Sequence, residues 1–559
     1  MEFTYKKNDN NELFKSVCCS ESIGVTSPQN YNPLYETFFS LSDNNSNLIS
    51  LNNKNNVTQV KNKIMNNCYL CNIDGIEKEV FFKYSPLIDP SKYIIGKYDI
   101  DDSRLLQLPC FGSTESNAKT RDPNNAAYVD GFFAYLSSQL LHTHNFVHAV
   151  DFYGSFLGNK TNFEYNIADD IEHLNNSDFF HKNNGSLFKI ESGLAENIFN
   201  FDTRHNKNKL SMTSSMDMCD DVIELSSLSE LDNLNEIFDS CMEISKTNDG
   251  SVDLLFSRDL SNNTKCSDNS TCSSRSSDTE NDSDNDEMVD SLSDSDGGFS
   301  TASEDVMIAT INSFPVNVIA LEKCSNTLDS LIIETGKELT DSEWCSIIIQ
   351  IIMSLIVYQK TLQFTHNDLH TNNIMYITTD KPFLYYKVND IYYKVPTFGR
   401  IYKIIDFGRA IYSLNGVRYC SDSFHPKGDA ATQYNCEPYY NDEKPLIEPN
   451  MSFDLCRLAC SLFDYFYEEI EDVKDDHNEI SLLVNEWCLD DKGRNILYKN
   501  NGDERYPEFK LYKMIARKVH KHTPEKQLDK LMFHCYKTSK KKMPKKAKIV
   551  NIDDIPEYF

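Results

Sequence analysis

No run of about 18 consecutive apolar residues, the length a helix needs to cross a bilayer, occurs in the chain. The strongest candidate, IIIQIIMSLIV from Ile347 to Val357, is shorter and is interrupted by Gln350 and Ser354, so it reads as a buried helix. The opening stretch, MEFTYKKNDNNELFK, holds no apolar signal core, and secretion is not expected. Basic charge is short as well. The 55 Lys and Arg face 85 Asp and Glu, a formal net charge of −30. That excludes a protein whose main work is to coat nucleic acid, because phosphate binding needs basic surface. A second C-x-x-C is missing too: Cys68 and Cys71 in NCYLCNIDG have no partner pair nearby to complete a zinc site, and they read as strand residues. The 17 cysteines are scattered along the chain, which points to free thiols in a reducing, intracellular compartment.

What is present is unevenly spread. The 559 residues allow roughly three or four domains at about 150 residues each. Residues 211–310 hold 24 acidic and four basic side chains, and the rest of the chain is close to an ordinary charge balance. Within that segment, residues 276–305 carry 11 acids and no base; such a run cannot pack and reads as a disordered insert, its Ser-Asp sequences open to phosphorylation. The expected organisation is a flexible polar N-terminus (1–30), a strand- and helix-bearing segment (31–157), a partly ordered insert (158–210) and the acidic insert (211–310). An apolar strand and its exit (311–324), a mainly helical segment (325–536) and a Lys-rich tail (537–559) follow. Two hairpins are legible: NCYLCNI and EKEVFFKYS around Asp74-Gly75, and FLYYKV and IYYKVP around Asn389-Asp390. Apolar spacing predicts helices over 124–141 and 341–364. Seven lysines lie between residues 537 and 548. They read as a solvated, disordered end, with a nuclear-targeting or nucleic-acid patch, or a segment folding back on the acidic insert, as alternatives.

Two segments carry chemistry. In FTHNDLHTNNIMY (364–376), Asp368 and Asn373 stand five residues apart in a loop after the apolar helix, placed to aim a carboxylate and an amide oxygen into one cleft. In YKIIDFGRA (402–410), Asp406 ends an apolar strand and Gly408 permits a tight turn. Two carboxylates and an amide are an oxygen donor set suited to Mg²⁺ rather than zinc. With one carboxylate left to orient a hydroxyl, the set suits phosphoryl transfer, where catalysis is mostly positioning and charge neutralisation.

These segments resemble the protein kinase superfamily: H-N-D-L-H-T-N-N stands where the family has H-R-D-L-K-x-x-N, and D-F-G is intact. The resemblance covers about residues 60–157 and 311–536. The Asn-rich composition, the DLHTNNIM variant and the acidic insert are similar to serine/threonine kinases of giant DNA viruses. The resemblance implies a bilobal α+β fold, with a small β-rich lobe split by the insert and a mainly helical large lobe. It implies ATP and Mg²⁺ as cofactors and Ser or Thr hydroxyls of proteins as acceptors. No membrane partner is expected, and no nucleic acid except through the Lys-rich tail. The location implied is the cytoplasm of an infected cell or the virion. Asp368 is implied as catalytic base, and Asn373 and Asp406 as metal ligands. Lys83 in EVFFKYS is implied as the lysine on the nucleotide phosphates, Glu322 to Cys324 as the hinge that meets adenine, and Asp454 in SFDLCRL as a brace beneath the catalytic loop.

The departures set further expectations. No G-x-G-x-x-G precedes Lys83, so the phosphate-covering loop is absent or differently built. Helix 124–141 has no glutamate to pair with Lys83; Asp130 and Gln139 are its only polar candidates, and neither is assigned that role. Asn367 replaces the arginine that receives an activating phosphate, so activation by phosphorylation is not expected. His370 replaces a lysine that contacts the transferring phosphate. The 33-residue gap from Asn373 to Asp406 is taken up by the YYKV-ND-IYYKV hairpin, which returns the chain near its start. DLHxxN also occurs in small-molecule kinases of the aminoglycoside phosphotransferase type, which is the rival enzyme reading; a pseudokinase scaffold is the non-enzymatic one.

Overall fold

The structure, a computed structural model, describes residues 4–20, 22–167, 174, 177–190, 307–334, 339–506 and 510–559. The acidic insert, apart from its last four residues, lies outside the described residues, as does most of segment 158–210 beyond 167. The fold is mixed α+β, strand-rich in its N-terminal region and helical in its C-terminal region.

Seven strands lying between Val25 and Glu322 form one antiparallel sheet, whose central strands are buried in continuous runs. Its strands are β1 (Val25–Gln29), β2 (Val57–Met65), β3 (Cys68–Ile73), β4 (Ile76–Pro86), β5 (Phe152–Asn166), β6 (Phe188–Ile190) and β7 (Ile308–Glu322). The order is β1-β5-β7-β4-β3-β2, with β6 also on β7. The Asp74-Gly75 turn joins β3 to β4 as expected, with positive φ at both residues. Strand β5 runs nine residues past the boundary expected at 157, and β7 begins at Ile308 rather than 311, because the two pair with each other along most of their length.

The polar first thirty residues, expected to be flexible, instead contain a strand at Tyr5–Lys7 paired with Ile49–Leu51, a helix α1 (Asn11–Cys18) and β1. Helix α1 is amphipathic, and Leu13 and Val17 are buried with Val25, Val57 and Val60. A few well-spaced apolar residues suffice where a sheet face waits to be covered.

Helix α2 (Ala126–His144) lies across the other face of the sheet. At Gly131 a Cβ would come within 2.9 Å of Asn317 Nδ2, which donates to the Ala127 carbonyl, so a side chain there would push the helix off β7. Helix α3 (Leu328–Glu334) leads to α4 (Asp341–Leu362), closed at its start by a Thr340–Glu343 capping box. Among the described residues α4 is the one helix long and apolar enough to cross a membrane, and 83% of its apolar window is buried inside the protein.

Beyond it come β8 (Ile374–Thr378), the expected hairpin β9 (Phe383–Val388) and β10 (Ile391–Pro396), and β11 (Arg400–Ile404). Asn389 and Asp390 both have positive φ, as a two-residue turn of this kind requires. Helices α5 (Phe453–Phe466), α6 (Glu479–Trp487) and α7 (Lys510–Lys518) complete the helical region. The Lys-rich tail is not a solvated, disordered end. Its strands β12 (Lys537–Thr538) and β13 (Ile549–Asn551) extend the hairpin into a four-stranded sheet, β12-β10-β9-β13. The hairpin's two open edges supply the backbone partners, and Met543 and Val550 are buried.

Candidate active site

Strand register sets the first half of the site. Lys83 lies opposite Ile319, in the middle of the β4–β7 ladder, and its side chain is 5% exposed. A buried ammonium costs several kcal/mol unless it is paired, and Lys83 is paired twice: Nζ is 2.7 Å from Asp130 Oδ2 and 2.9 Å from Asp406 Oδ1. Burial alone would lower its pKa; the two carboxylates outweigh burial and raise it. Asp130, left unassigned in the sequence, is therefore the acidic partner on α2. Its carboxylate also accepts from Ser85 Oγ (3.1 Å) and from the Phe407 amide (2.9 Å), so one side chain ties β4, α2 and the residue after Asp406. An aromatic cluster fixes that junction, with Phe133 stacked on Phe364 (4.3 Å) and packed on Phe407 (4.5 Å).

The second half depends on the β8–β11 pairing. Ile374 faces Ile404, and the Ile405 amide donates to the Asn373 carbonyl at 3.0 Å, which brings Asn373 beside Asp406 although the hairpin separates them in sequence. Asp406 adopts left-handed backbone (φ 62°), a conformation uncommon outside glycine. Burial raises its pKa, Lys83 opposes this, and the neighbouring Asp130 carboxylate reinforces it.

Asp454, on the first turn of α5, accepts from the His366 amide (2.9 and 3.1 Å) and the Asn367 amide (2.9 Å). The His366 ring spans the loop: Nδ1 accepts from the Asp368 amide (3.3 Å), and Nε2 therefore donates to the Ile405 carbonyl (2.8 Å). Asn367, also left-handed (φ 63°), donates to the Thr365 and Arg409 carbonyls and accepts from the Tyr434 hydroxyl at 2.8 Å. Asn373 Nδ2 donates to the Asp368 carbonyl (2.9 Å), which turns its Oδ1 the other way. Asp368 Oδ1 accepts from the Tyr512 hydroxyl at 2.8 Å, with Arg457 Nε 4.0 Å away. Burial would raise the Asp368 pKa, but Arg409, His370 and Arg457 together hold it below the usual carboxylate range.

A cavity of about 160 Å³ opens beside the lysine triad. Met65, Phe81, Ala134, Val150, Leu321 and Met375 line its apolar part, and Lys83, Asp130 and Asp406 its charged end. Glu322 and Cys324 also line it. The Glu322 carboxylate faces Lys403 (2.7 Å) and the Asp151 amide (3.2 Å), while neither backbone group of Cys324 is hydrogen-bonded among the described residues. The β2–β3 hairpin passes beside the cavity with Met65 paired to Cys68, and only Asn66 and Asn67 form the turn beyond that pair.

The structure thus brings Lys83 to Asp406 by direct contact, and Asp406 to Asn373 and Asp368 through adjacent hydrogen bonds. Sequence reasoning missed Tyr512, Arg409 and Arg457 and passed over Asp130. Asp130 did leave a signal: it is the single charged residue in a helix otherwise apolar enough to be buried, so it needs a cationic partner. The chain matches no protein-family model and no curated protein.

Proposed function

We propose that this chain is an ATP- and Mg²⁺-dependent phosphotransferase of the protein kinase type, acting on Ser or Thr hydroxyls of proteins. In that reading the β-rich N-terminal region and the helical C-terminal region are the two lobes, and the 160 Å³ cavity between β3, β7 and β8 takes the nucleotide. The observation that carries the proposal is the meeting of Lys83, Asp130, Asp406, Asn373 and Asp368, drawn from four separate stretches of sequence, beside an apolar slot.

The donor set fits a hard divalent cation. Among the described residues no hydrogen bond reaches Asp406 Oδ2 or Asn373 Oδ1, and both are oxygens of the kind Mg²⁺ takes. No three His, Cys, Asp or Glu side chains cluster as a metal site among the described residues, so Mg²⁺ would bind here through one carboxylate, one amide, water and the phosphates themselves. When bound, it would neutralise charge on the phosphate oxygens. Lys83 would hold the inner phosphates, and the free backbone groups of Cys324 would meet the base. Asp368, kept ionised, would orient the acceptor hydroxyl and take its proton as the new O–P bond forms and the bond to the β-phosphate oxygen breaks.

A catalytically inert scaffold is the second reading. It is favoured by the Asn66-Asn67 turn, since two residues are too few to lay a row of backbone amides over a triphosphate. The test is γ-labelled ATP with Mg²⁺ and a mixed protein substrate, run beside Asp406→Ala. Label on protein from the wild type alone supports the enzyme. ATP turnover only onto amino-alcohol or aminoglycoside acceptors would move it to the small-molecule kinases, and nucleotide binding without transfer would make it a scaffold.

A further inference from the structure

We propose that Tyr512 is a positioning residue for Asp368: it occupies one carboxylate oxygen so that the other alone receives the acceptor hydroxyl. This rests on the phosphotransferase reading and adds a residue to it, from a helix 144 positions away in sequence.

The geometry is directional. Arg457 Nε donates to Tyr512 Oη at 2.9 Å. The phenol oxygen is thereby an acceptor toward α5, and its own proton points to Asp368 Oδ1, 2.8 Å away. The ring cannot swing out of this line. The Arg457 and Arg409 guanidinium carbons lie 5.0 and 5.4 Å from its centroid, Phe453 packs at 6.1 Å, and the residue is 2% exposed. Cation–π contact and burial hold the ring, and the charge-assisted hydrogen bonds hold its oxygen. Among the described residues no hydrogen bond reaches Asp368 Oδ2. The loop backbone is fixed from beneath by Asp454 and His366, so the remaining freedom of Asp368 is rotation of its carboxylate. A hydrogen bond to Oδ1 removes that freedom.

A buried tyrosine on any core helix needs a partner for its hydroxyl, and a purely structural Tyr512 would satisfy that need at Asp368 without consequence for the reaction. The two roles separate kinetically. Full-length wild type, Tyr512→Phe, Asp368→Asn and the double variant are assayed for labelled phosphate transfer from ATP and Mg²⁺ to protein, with kcat and KM measured separately. Binding of a fluorescent ATP analogue with Mg²⁺ and thermal midpoints are followed in parallel. A positioning role predicts a fall in kcat of roughly 10- to 100-fold for Tyr512→Phe with KM for ATP unchanged. It also predicts no further loss when Tyr512→Phe is added to Asp368→Asn, because the tyrosine acts through that carboxylate. If Tyr512→Phe folds poorly, Arg457→Lys, which removes the Nε donor but keeps the charge, should give a smaller fall of the same kind.

An unchanged kcat in Tyr512→Phe beside a strongly impaired Asp368→Asn would overturn the inference and leave the phosphotransferase intact. So would a loss in the double variant equal to the product of the two single losses. Absence of any transfer by the wild type would instead overturn the phosphotransferase reading, and this inference with it.

Discussion

Asp368 and Asp406 belong to one hydrogen-bonded assembly, yet their surroundings are opposite. Asp406 shares the single cation Lys83 with Asp130, so that buried triad carries a net −1. Asp368 faces Arg457 and Arg409, with Asp429 on Arg409 at 2.6 Å, and that group balances to zero. The pKa directions follow: burial and Asp130 raise that of Asp406, whereas the guanidiniums overcome burial and lower that of Asp368. A carboxylate short of positive charge is suited to take up a cation, and one supplied by guanidiniums is suited to stay ionised and accept a proton only in passing. The same side chain is given opposite electrostatic settings by the number of cations the fold brings to it.

The largest break in this comparison is Asp368→Asn. It removes the proposed proton acceptor but leaves the lysine triad untouched. Turnover should fall roughly 10²- to 10⁴-fold with nucleotide affinity unchanged. Steady-state kinetics beside equilibrium binding would check this, and a kcat near that of wild type would remove Asp368 from the chemistry.

Asp130→Ala attacks the other cluster. It strips Lys83 of one of its two carboxylates and leaves the Phe407 amide and Ser85 hydroxyl without their acceptor. Breaking a buried pair of this kind costs about 3–5 kcal/mol, readable as a lower urea midpoint at unchanged slope. A loss below about 1 kcal/mol would mean that the triad is dispensable to the fold and that α2 is held by its aromatic contacts alone.

Acid titration separates the fold from the site. His148 is buried, accepts from the Tyr386 hydroxyl and donates to the Tyr402 carbonyl, both at 2.7 Å, and burial lowers its pKa to about 4. With an unfolded value near 6.5, the unfolded chain binds the extra proton between pH 6.5 and 4. Stability therefore falls as pH drops through that window, by about 3 kcal/mol from this group. His148→Gln should flatten that part of the profile, and an unchanged slope would assign the acid loss to the carboxylates.

How much of this was legible depended on how local the cause was. The turns at Asp74-Gly75 and Asn389-Asp390, the apolar core helix and the spacing of Asp368, Asn373 and Asp406 are written in neighbouring residues. The partners of the carboxylates are not: Tyr512 and Arg457 reach Asp368 because α5 and α7 pack beneath the loop, which no local pattern reports. The tail was misread because its lysines dominate the composition, whereas its strands form on hairpin edges that exist only in the folded chain. At the N-terminus the Asn-rich background hid an amphipathic turn whose burial needed a distant sheet.

The smallest expected effect concerns the link between the two clusters. Asp422 Oδ1 accepts from the Ala126 amide at 2.9 Å, at the N-terminus of the helix that carries Asp130, and its Oδ2 is paired with Lys119. Its own amide donates to the Asn124 carbonyl at 2.7 Å. The segment that follows carries Asp429, the partner of Arg409. A carboxylate at a helix N-terminus satisfies an otherwise open amide and favours the helix dipole. Asp422→Ala should therefore cost about 1–2 kcal/mol of stability, less than Asp130→Ala. Its signature is shared between the clusters: faster amide exchange in the first turn of α2, and a modest fall in kcat with the Asp368 environment otherwise intact. Asp422→Asn, which can still accept from the Ala126 amide but loses the charge opposite Lys119, should recover part of the loss. Equal losses in the two variants would assign the whole effect to the ion pair, and the helix-capping bond would then contribute nothing to holding Asp130 against Lys83.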